Sequence, residues 1–228
     1  MICTVLCGGD GPKFPNGDTV FAMDNRDNKS TPCQVYQTLL EAHKGEPWNF
    51  FVHDDLIVHD PDWRARIDRL FENPNCVAAG FGGALALGNR DLYRKPYRLE
   101  NLARIGYASN QDDAEIHGER FAGDRRVAVP EQFAMAVRTE WLLNKGGWPV
   151  DLFRHHFLDG WLACEAARDD KEIWMCGVSC LHLGGGTSAK PIAKAGWLAG
   201  GTLEEDHQEA HRVLFSRYRD VLPVEIGL

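Results

Sequence analysis

The chain has 228 residues, which is enough for one α/β domain with a full core, whereas a second independent domain would be cramped. Its formal net charge of −8 argues against a general affinity for the nucleic-acid backbone, so we expect no non-specific nucleic-acid binding. The 7 cysteines are an odd number without a C-x-x-C pair, and several lie in apolar surroundings, which predicts reduced core thiols in a cytoplasmic protein.

The amino terminus is predicted to be the first strand of the fold. Residues 1–10 lack a basic region, and their apolar run is far too short to span a bilayer, which disfavours secretion and a membrane span. A second apolar run at residues 19–23 predicts the second strand. The turn-forming residues 8–17 between the two strands predict that a first helix is shortened or missing.

The next part of the chain alternates helix and strand patterns. Thr31 and Pro32 are a good N-cap and first helical residue, and apolar residues at helical spacing follow them. The apolar run Trp48–Val52 predicts a buried strand. Asp60-Pro61 is predicted to open a second helix, which ends at residues 73–75.

The second half of the chain begins with a polar stretch. Residues 88–126 are rich in charge and carry little periodicity, which predicts a long loop, with a disordered insertion as the alternative. The apolar pattern returns at residues 133–138, a predicted strand, and residues 203–222 are predicted to form an amphipathic C-terminal helix. No internal repeat or linker is visible, so residues 1–228 are predicted to form a single domain.

His53-Asp54-Asp55 follows the predicted strand Trp48–Val52 directly and places two adjacent carboxylates at its end. Neighbouring carboxylates repel each other and resist desolvation, so they persist half-buried where a cation or hydrogen-bond donors compensate them. A divalent metal with oxygen ligands is the candidate cation. A surface turn that caps the following residues is the alternative.

Two glycine-containing segments are candidate ligand contacts. Gly82 and Gly83, in the segment Gly80-Phe81-Gly82-Gly83, would let the backbone approach a ligand closely, although a tight turn explains them equally well. The segment 184–190 could wrap a diphosphate through backbone amides and Lys190, with a flexible polar loop as the alternative.

Several motifs follow one another in a recognisable order. The segment 35–63 contains a helix that ends in a small-residue turn, a strand, the His-Asp-Asp motif and an x-Pro-x-Trp helix start. Gly146-Gly147-Trp148-Pro149, an acidic helix start within residues 156–167, and His182 before a glycine-rich segment come later. Together these motifs resemble the family-two-like glycosyltransferases of the GT-A fold. The resemblance covers roughly residues 20 to 190 and implies a Rossmann-like α/β domain with a mixed, mainly parallel central sheet flanked by helices.

The resemblance implies a metal site. Asp55 matches the last residue of the family's Asp-x-Asp motif and is the predicted metal ligand, and His182 matches a late histidine that completes the coordination shell. Asp54 matches the position that contacts the ribose or the water shell of the metal, and Asp24 matches an acidic contact to the base or ribose. His53 stands where the family frequently has another Asp, which makes the motif a variant. The implied ion is Mn²⁺ or Mg²⁺, and an imidazole ligand suits Mn²⁺ better than Ca²⁺.

The resemblance also implies a catalytic base. Asp159 matches the acidic residue that takes the acceptor proton in inverting relatives. Its place near a predicted helix start leaves a plain N-cap role as the alternative. His155 and His156 crowd the same turn, as in a pocket wall. Glu165, one turn further along, is predicted to support or replace Asp159, or to lie on a solvated helix face.

These observations predict a metal-dependent, inverting glycosyltransferase, hexosyltransferase-like, which moves a sugar from a nucleotide-diphosphate donor, in the first place a UDP-sugar, to a hydroxyl acceptor. A glycan, a protein and a modified nucleobase are the acceptor candidates. A sugar-phosphate nucleotidyltransferase would show a glycine-rich, basic signature after the first strand, and residues 8–13 match that signature only weakly. A non-catalytic carbohydrate-binding protein would keep the tryptophans without metal dependence.

Overall fold

The computed structural model describes residues 1–27, 29–88, 104–109, 123–183 and 202–226, and in 104–109 only the backbone. The strands in chain order are β1 (Ile2–Leu6), β2 (Val20–Asp24), β3 (Trp48–Val52), β4 (Leu56–Val58), β5 (Cys76–Gly80), β6 (Gly82–Leu87), β7 (Arg104–Ser109), β8 (Asp124–Val127), β9 (Val129–Pro130), β10 (Ala134–Arg138), β11 (Glu172–Cys176), β12 (Cys180–His182) and β13 (Val224–Glu225). The helices are α1 (Pro32–Ala42), α2 (Trp63–Phe71), α3 (Thr139–Asn144), α4 (Leu158–Arg168) and α5 (Leu203–Arg217).

A seven-stranded sheet with the order β2-β1-β3-β10-β5-β11-β8 forms the centre of the fold. β10 and β8 run antiparallel to their neighbours, and the other five strands point the same way. β4 pairs with β12 in a separate two-stranded ladder, and β6 pairs with β7, β9 and β13. The predicted α/β class with a mixed, mainly parallel sheet is therefore confirmed.

Both faces of the central sheet are covered, because side chains of a strand alternate between its faces. Phe50 of β3 packs on Trp63 of α2, with ring centroids 5.2 Å apart. The next residue, Phe51, packs on Tyr36 of α1 on the opposite face, also at 5.2 Å. Helices α4 and α5 lie on the α1 side, and a Cβ atom on Gly160 of α4 would come within 2.9 Å of Leu214 of α5. The absence of a side chain at Gly160 thus lets these two helices pack closely.

The connection from β1 to β2 contains turns and bends instead of a helix, as the sequence predicted. It crosses towards β4, where the Lys13 amide donates to the Leu56 carbonyl at 2.9 Å. Helix α1 begins as predicted: the Thr31 side chain accepts from the Gln34 amide, and the Gln34 side chain accepts from the Thr31 amide. This reciprocal capping box satisfies two backbone donors that would otherwise lack partners.

Three predicted boundaries are corrected by the structure. α2 begins at Trp63, after Asp62 as N-cap, and not at Asp60-Pro61. α5 ends at Arg217 instead of residue 222, because Tyr218 closes the helix and a turn follows it. The predicted loop 88–126 contains β7 and most of β8. β8 is a polar edge strand that is stabilised by pairing with β11, so it lacks the apolar alternation of a buried strand.

Two observations bear on the predictions of reduced cysteines and of no membrane span. All 7 cysteines lie within the described residues, and all are free thiols. The longest helix that the structure describes, α5, has 15 residues and many charges, and none of the described helices could cross a membrane.

Candidate metal centre and adjoining clefts

The candidate site lies at the carboxyl ends of β1 and β3. These strands are parallel neighbours, and the chain leaves β1 towards β2 on one side, while β3 lies on the other side. In doubly wound sheets such a reversal of strand order opens a crevice beyond the strand ends, where ligands bind. The His53-Asp54-Asp55 motif follows β3 at this point, and the glycine-rich residues 8–11 follow β1.

Asp54 fixes the loop that follows β1. Its Oδ2 atom accepts hydrogen bonds from the amides of Cys7, Gly8 and Gly9, at 2.8, 3.0 and 2.7 Å. A Cβ atom on Gly9 would lie 2.7 Å from the backbone oxygen of Asp54, so only glycine fits there without a shift. The predicted cofactor contact Asp54 thus has structural partners already, the three amides of the loop that it shapes.

His53, Asp55 and His182 bring three metal-ligand atoms within 4.8 Å of one another, and we call this group the triad. His182 Nε2 lies 3.2 Å from His53 Nδ1 and 3.2 Å from Asp55 Oδ1. Despite this distance, the buried Asp55 Oδ1 accepts no hydrogen bond of good geometry. A buried carboxylate oxygen without a donor is costly, and a shared cation would satisfy it together with both imidazoles.

The fold holds each member of the triad in place. β12 pairs with β4, which sets His182 opposite Leu56, and the Leu183 amide donates to the Asp55 carbonyl at 3.2 Å. The ring of His182 stacks on Phe133, with centroids 4.8 Å apart. The His53 amide donates to the Phe133 carbonyl at 2.9 Å. Backbone pairing therefore positions the ligand atoms before any ion binds.

The electrostatics of the triad suit a metal ion. Burial, and after it the neighbouring His182, lowers the pKa of His53 to about 3, so its imidazole is neutral at physiological pH. Burial alone would raise the pKa of Asp55, but the neighbouring His182, 3.2 Å away, outweighs it and holds this pKa below its ordinary value. A neutral imidazole at His53 and an ionised carboxylate at Asp55 are the forms in which these side chains bind metals, so both residues fit a divalent ion.

A cleft of about 180 Å³, which we call the histidine cleft, adjoins the triad. Its lining includes His53, Glu131, Phe133, His156, Asp159 and His207. His53 of the triad and the predicted base Asp159 therefore face the same space. The imidazoles of His156 and His207 lie 5.0 Å apart, which brings α5 against the start of α4.

Asp159 is buried in the first turn of α4, but it is not the N-cap. The N-cap is Phe157, whose φ of 65° is unusual for a bulky residue and whose side chain caps nothing. Asp159 Oδ1 accepts from the Gly160 amide at 2.7 Å, which orients the carboxylate. Asp159 is thus not the N-cap residue, although its carboxylate accepts a first-turn amide as a capping side chain does, and it lies at the positive end of the helix dipole.

A second cleft, of about 170 Å³, lies on the other side of Asp55, and we call it the glycine-loop cleft. It is lined by Gly9, Gly11, Lys13, Asp54, Asp55 and Leu183. A larger cleft of about 360 Å³ lies between α5 and residues 150–154, with an acidic lining that includes Asp206. We assign the chemistry to the two smaller clefts, because among the described residues metal-ligand atoms converge only at the triad between them.

The remaining predicted site residues lie in different surroundings. Asp24 ends β2 beside the end of β1 and is exposed, and its Oδ1 accepts from the Arg26 amide at 3.0 Å. Gly82 and Gly83 are buried in β6, where a Cβ atom on Gly83 would lie 2.5 Å from the Val129 carbonyl. The close packing of β6 against β9 therefore explains why position 83 is a glycine. Lys190 lies outside the described residues.

Glu165 belongs to a structural network away from the histidine cleft. The Tyr218 hydroxyl donates to it, and Lys145 Nζ lies 3.1 Å from its Oε2 atom. This network ties α4 to the end of α5. Glu165 therefore neither lies on a solvated helix face nor lies where it could replace Asp159 as the base. Sequence reasoning missed Glu131 and His207 as cleft residues. His207 follows Asp206 on α5, where amphipathic spacing alone gives no chemical signal.

No protein-family model and no curated protein matches the chain. Among solved structures, the crystal structure of A197 from STIV aligns with 80% of this chain and 84% of its own, with a TM-score of 0.49 and 11% sequence identity. A similarity at this level indicates nothing about the function of this chain.

Proposed function

We propose that the chain is a metal-dependent glycosyltransferase, which moves a sugar from a nucleoside-diphosphate donor to a hydroxyl acceptor with inversion at the anomeric carbon. One observation carries the proposal: His53 of the triad and the carboxylate of Asp159 line the same cleft. The reaction needs both a cation beside the leaving diphosphate and a base beside the acceptor hydroxyl.

Each of the two clefts would bind a different part of the substrates. The glycine-loop cleft would take the nucleoside diphosphate, since it offers the backbone of residues 8–11 and the ammonium group of Lys13 beside Asp55. A divalent ion held by the triad would neutralise charge on the leaving diphosphate. The histidine cleft would take the donor sugar and the acceptor.

Asp159 would act on the acceptor. Its carboxylate accepts the proton of the acceptor hydroxyl while that oxygen attacks the anomeric carbon and the bond to the diphosphate breaks. His155 and His156, which burial keeps neutral by lowering their pKa to about 4 and about 3, add no cationic charge beside this base.

Calorimetry with UDP in the presence and absence of Mn²⁺ tests the proposal. We expect metal-dependent nucleotide binding by the wild-type chain and its loss in Asp55→Asn, because the amide removes the one anionic ligand of the triad. Asp62→Asn is the matched control, since Asp62 is exposed and caps α2 without a side-chain hydrogen bond. Equal metal-dependent affinity in wild type and Asp55→Asn would overturn the metal assignment.

Incubation with a panel of nucleotide sugars then separates the reaction classes. Transfer or slow donor hydrolysis releases a nucleoside diphosphate, whereas a nucleotidyltransferase would release or consume pyrophosphate. Binding of free sugars without any need for metal or nucleotide would favour a carbohydrate-binding protein instead.

A further inference from the structure

The triad differs from an acidic metal motif in the chemistry of its donor atoms. Of the two carboxylates in His53-Asp54-Asp55, Asp54 accepts three backbone amides through Oδ2 and anchors the loop after β1. Asp55 therefore supplies the single carboxylate of the triad, and the other two donors are the nitrogen atoms of His53 and His182.

Two of the three separations between the donor atoms are those of ligands around one ion. Two ligands about 2.1 Å from a common ion lie roughly 3.0 Å apart at a right angle and about 3.4 Å apart at a tetrahedral angle. His182 Nε2 lies 3.2 Å from both His53 Nδ1 and Asp55 Oδ1, within that interval. His53 Nδ1 thus lies at a ligand-to-ligand separation from His182 Nε2, the central donor atom of the three.

Two nitrogen donors and one carboxylate suit some divalent ions far better than others. Imidazole favours borderline transition metals, whereas Mg²⁺ prefers oxygen ligands and gives up its water reluctantly. Three preplaced protein ligands also reduce the need for a nucleotide to complete the coordination shell.

We propose that His53 is a metal ligand, and that the triad holds a borderline divalent ion such as Mn²⁺ or Co²⁺ in the absence of nucleotide and in strong preference to Mg²⁺. The inference deepens the proposed function, because it concerns the same site, but it requires no sugar transfer. The assignment makes His53, which replaces the acidic residue of the related motif, the determinant of metal choice.

Pulsed EPR of the full-length wild-type chain with one equivalent of Mn²⁺ tests the ligand set without any substitution at the site. We expect hyperfine coupling from two imidazole nitrogens, and from one in His53→Ala. Coupling from a single nitrogen in both wild type and His53→Ala would overturn the proposal. Asp206→Asn controls for cation binding in the acidic cleft beside α5, and its spectrum should match that of wild type.

Calorimetric titration of chelator-treated protein with Mn²⁺, Co²⁺ and Mg²⁺, without nucleotide, tests the metal preference. His53→Ala should lower the affinity for Mn²⁺ on the order of 10²-fold, while exposed His59, changed to Ala, should leave it unchanged. His53→Asp restores a third ligand, so it should recover binding but narrow the preference for Mn²⁺ over Mg²⁺. Wild-type affinity and preference in a folded His53→Ala or His53→Asp variant would contradict the proposal.

The outcomes separate this inference from the proposed function. If Asp55→Asn abolishes metal-dependent UDP binding but His53→Ala leaves metal affinity intact, the ligand role of His53 fails and the glycosyltransferase proposal stands. If two imidazoles bind Mn²⁺ but UDP never binds, the metal site stands and the glycosyltransferase proposal fails.

Discussion

Asp54 Oδ2 accepts hydrogen bonds from three consecutive amides, whereas the buried Oδ1 of the adjacent Asp55 accepts none of good geometry. The two carboxylates follow the same strand, but the backbone turn points them at different partners. Asp54 is compensated by donors of its own chain, and Asp55 is left with the imidazoles. The repulsion expected between neighbouring carboxylates is therefore relieved at Asp54 by backbone amides, and at Asp55 a cation held by the triad would relieve it.

Gly9 tests the connection between the loop and the site. In Gly9→Ala the new Cβ atom would lie 2.7 Å from the Asp54 carbonyl oxygen and 2.9 Å from its Cγ atom, so the loop must shift. We expect weaker nucleotide binding and a loss of about 1–3 kcal/mol in the free energy of unfolding, the usual cost of overpacking. Calorimetry and urea denaturation measure these effects. Gly45→Ala is the control, because a Cβ atom there meets no atom within 4 Å.

Asp159→Asn separates catalysis from structure. The amide oxygen can still accept from the Gly160 amide, but an asparagine cannot usefully take a proton. We expect normal nucleotide binding and a rate of sugar transfer lower by a factor on the order of 10² to 10⁴, measured by release of the nucleoside diphosphate with acceptor present. Asp170→Asn, an exposed site with a positive φ that asparagine tolerates, should keep wild-type activity. A folded Asp159→Asn variant with turnover within a few-fold of wild type would make His156 the next candidate.

At the scale of elements, the capping box of α1 is local enough to test by itself. Thr31→Ala removes the side-chain acceptor of the Gln34 amide, so we expect a loss of about 1 kcal/mol in the free energy of unfolding. Thr31→Ser keeps the hydroxyl and should recover most of the lost free energy of unfolding. Thr38→Ala, on the exposed face of the same helix, should be close to neutral, because alanine compensates there by its higher helix propensity. Urea denaturation compares the variants, and equal stability of Thr31→Ala and wild type would contradict the role of the cap.

The elements also show which parts of the fold were predictable. Local signals determine α1, through Thr31 and Pro32, and β3, through its apolar run, and both were predicted correctly. β8 was missed because its stability comes from pairing with β11, which its polar sequence does not reveal. The proposed metal ligand Asp55 is prominent in the sequence, but the anchoring of Gly9 by Asp54 spans 45 positions and depends on the approach of two strands. Such contacts arise from topology, which a local pattern does not contain.

At the scale of the whole molecule, the packing of α5 against the start of α4 encloses titratable groups in the histidine cleft. The imidazoles of His155 and His156 lie 4.6 Å apart, and His156 contacts His207 of α5. Burial lowers the pKa of His155 to about 4, and burial followed by the neighbouring His155 lowers that of His156 to about 3. The folded protein thus keeps both rings neutral at a pH where the unfolded chain protonates them.

This difference predicts a loss of stability in acid. Between an unfolded pKa near 6.5 and the folded pKa of about 4, the unfolded chain binds more protons, so the free energy of unfolding falls as the pH drops through this window. Each such histidine contributes a slope of up to about 1.4 kcal/mol per pH unit. Urea denaturation of chelator-treated protein from pH 7 to pH 4.5 measures the slope. His156→Gln, which cannot titrate, should lower the slope by the contribution of one histidine, whereas changing the exposed His59 to Gln should leave the slope unchanged. The same slope in His156→Gln and wild type would show that His156 is not held neutral by the fold.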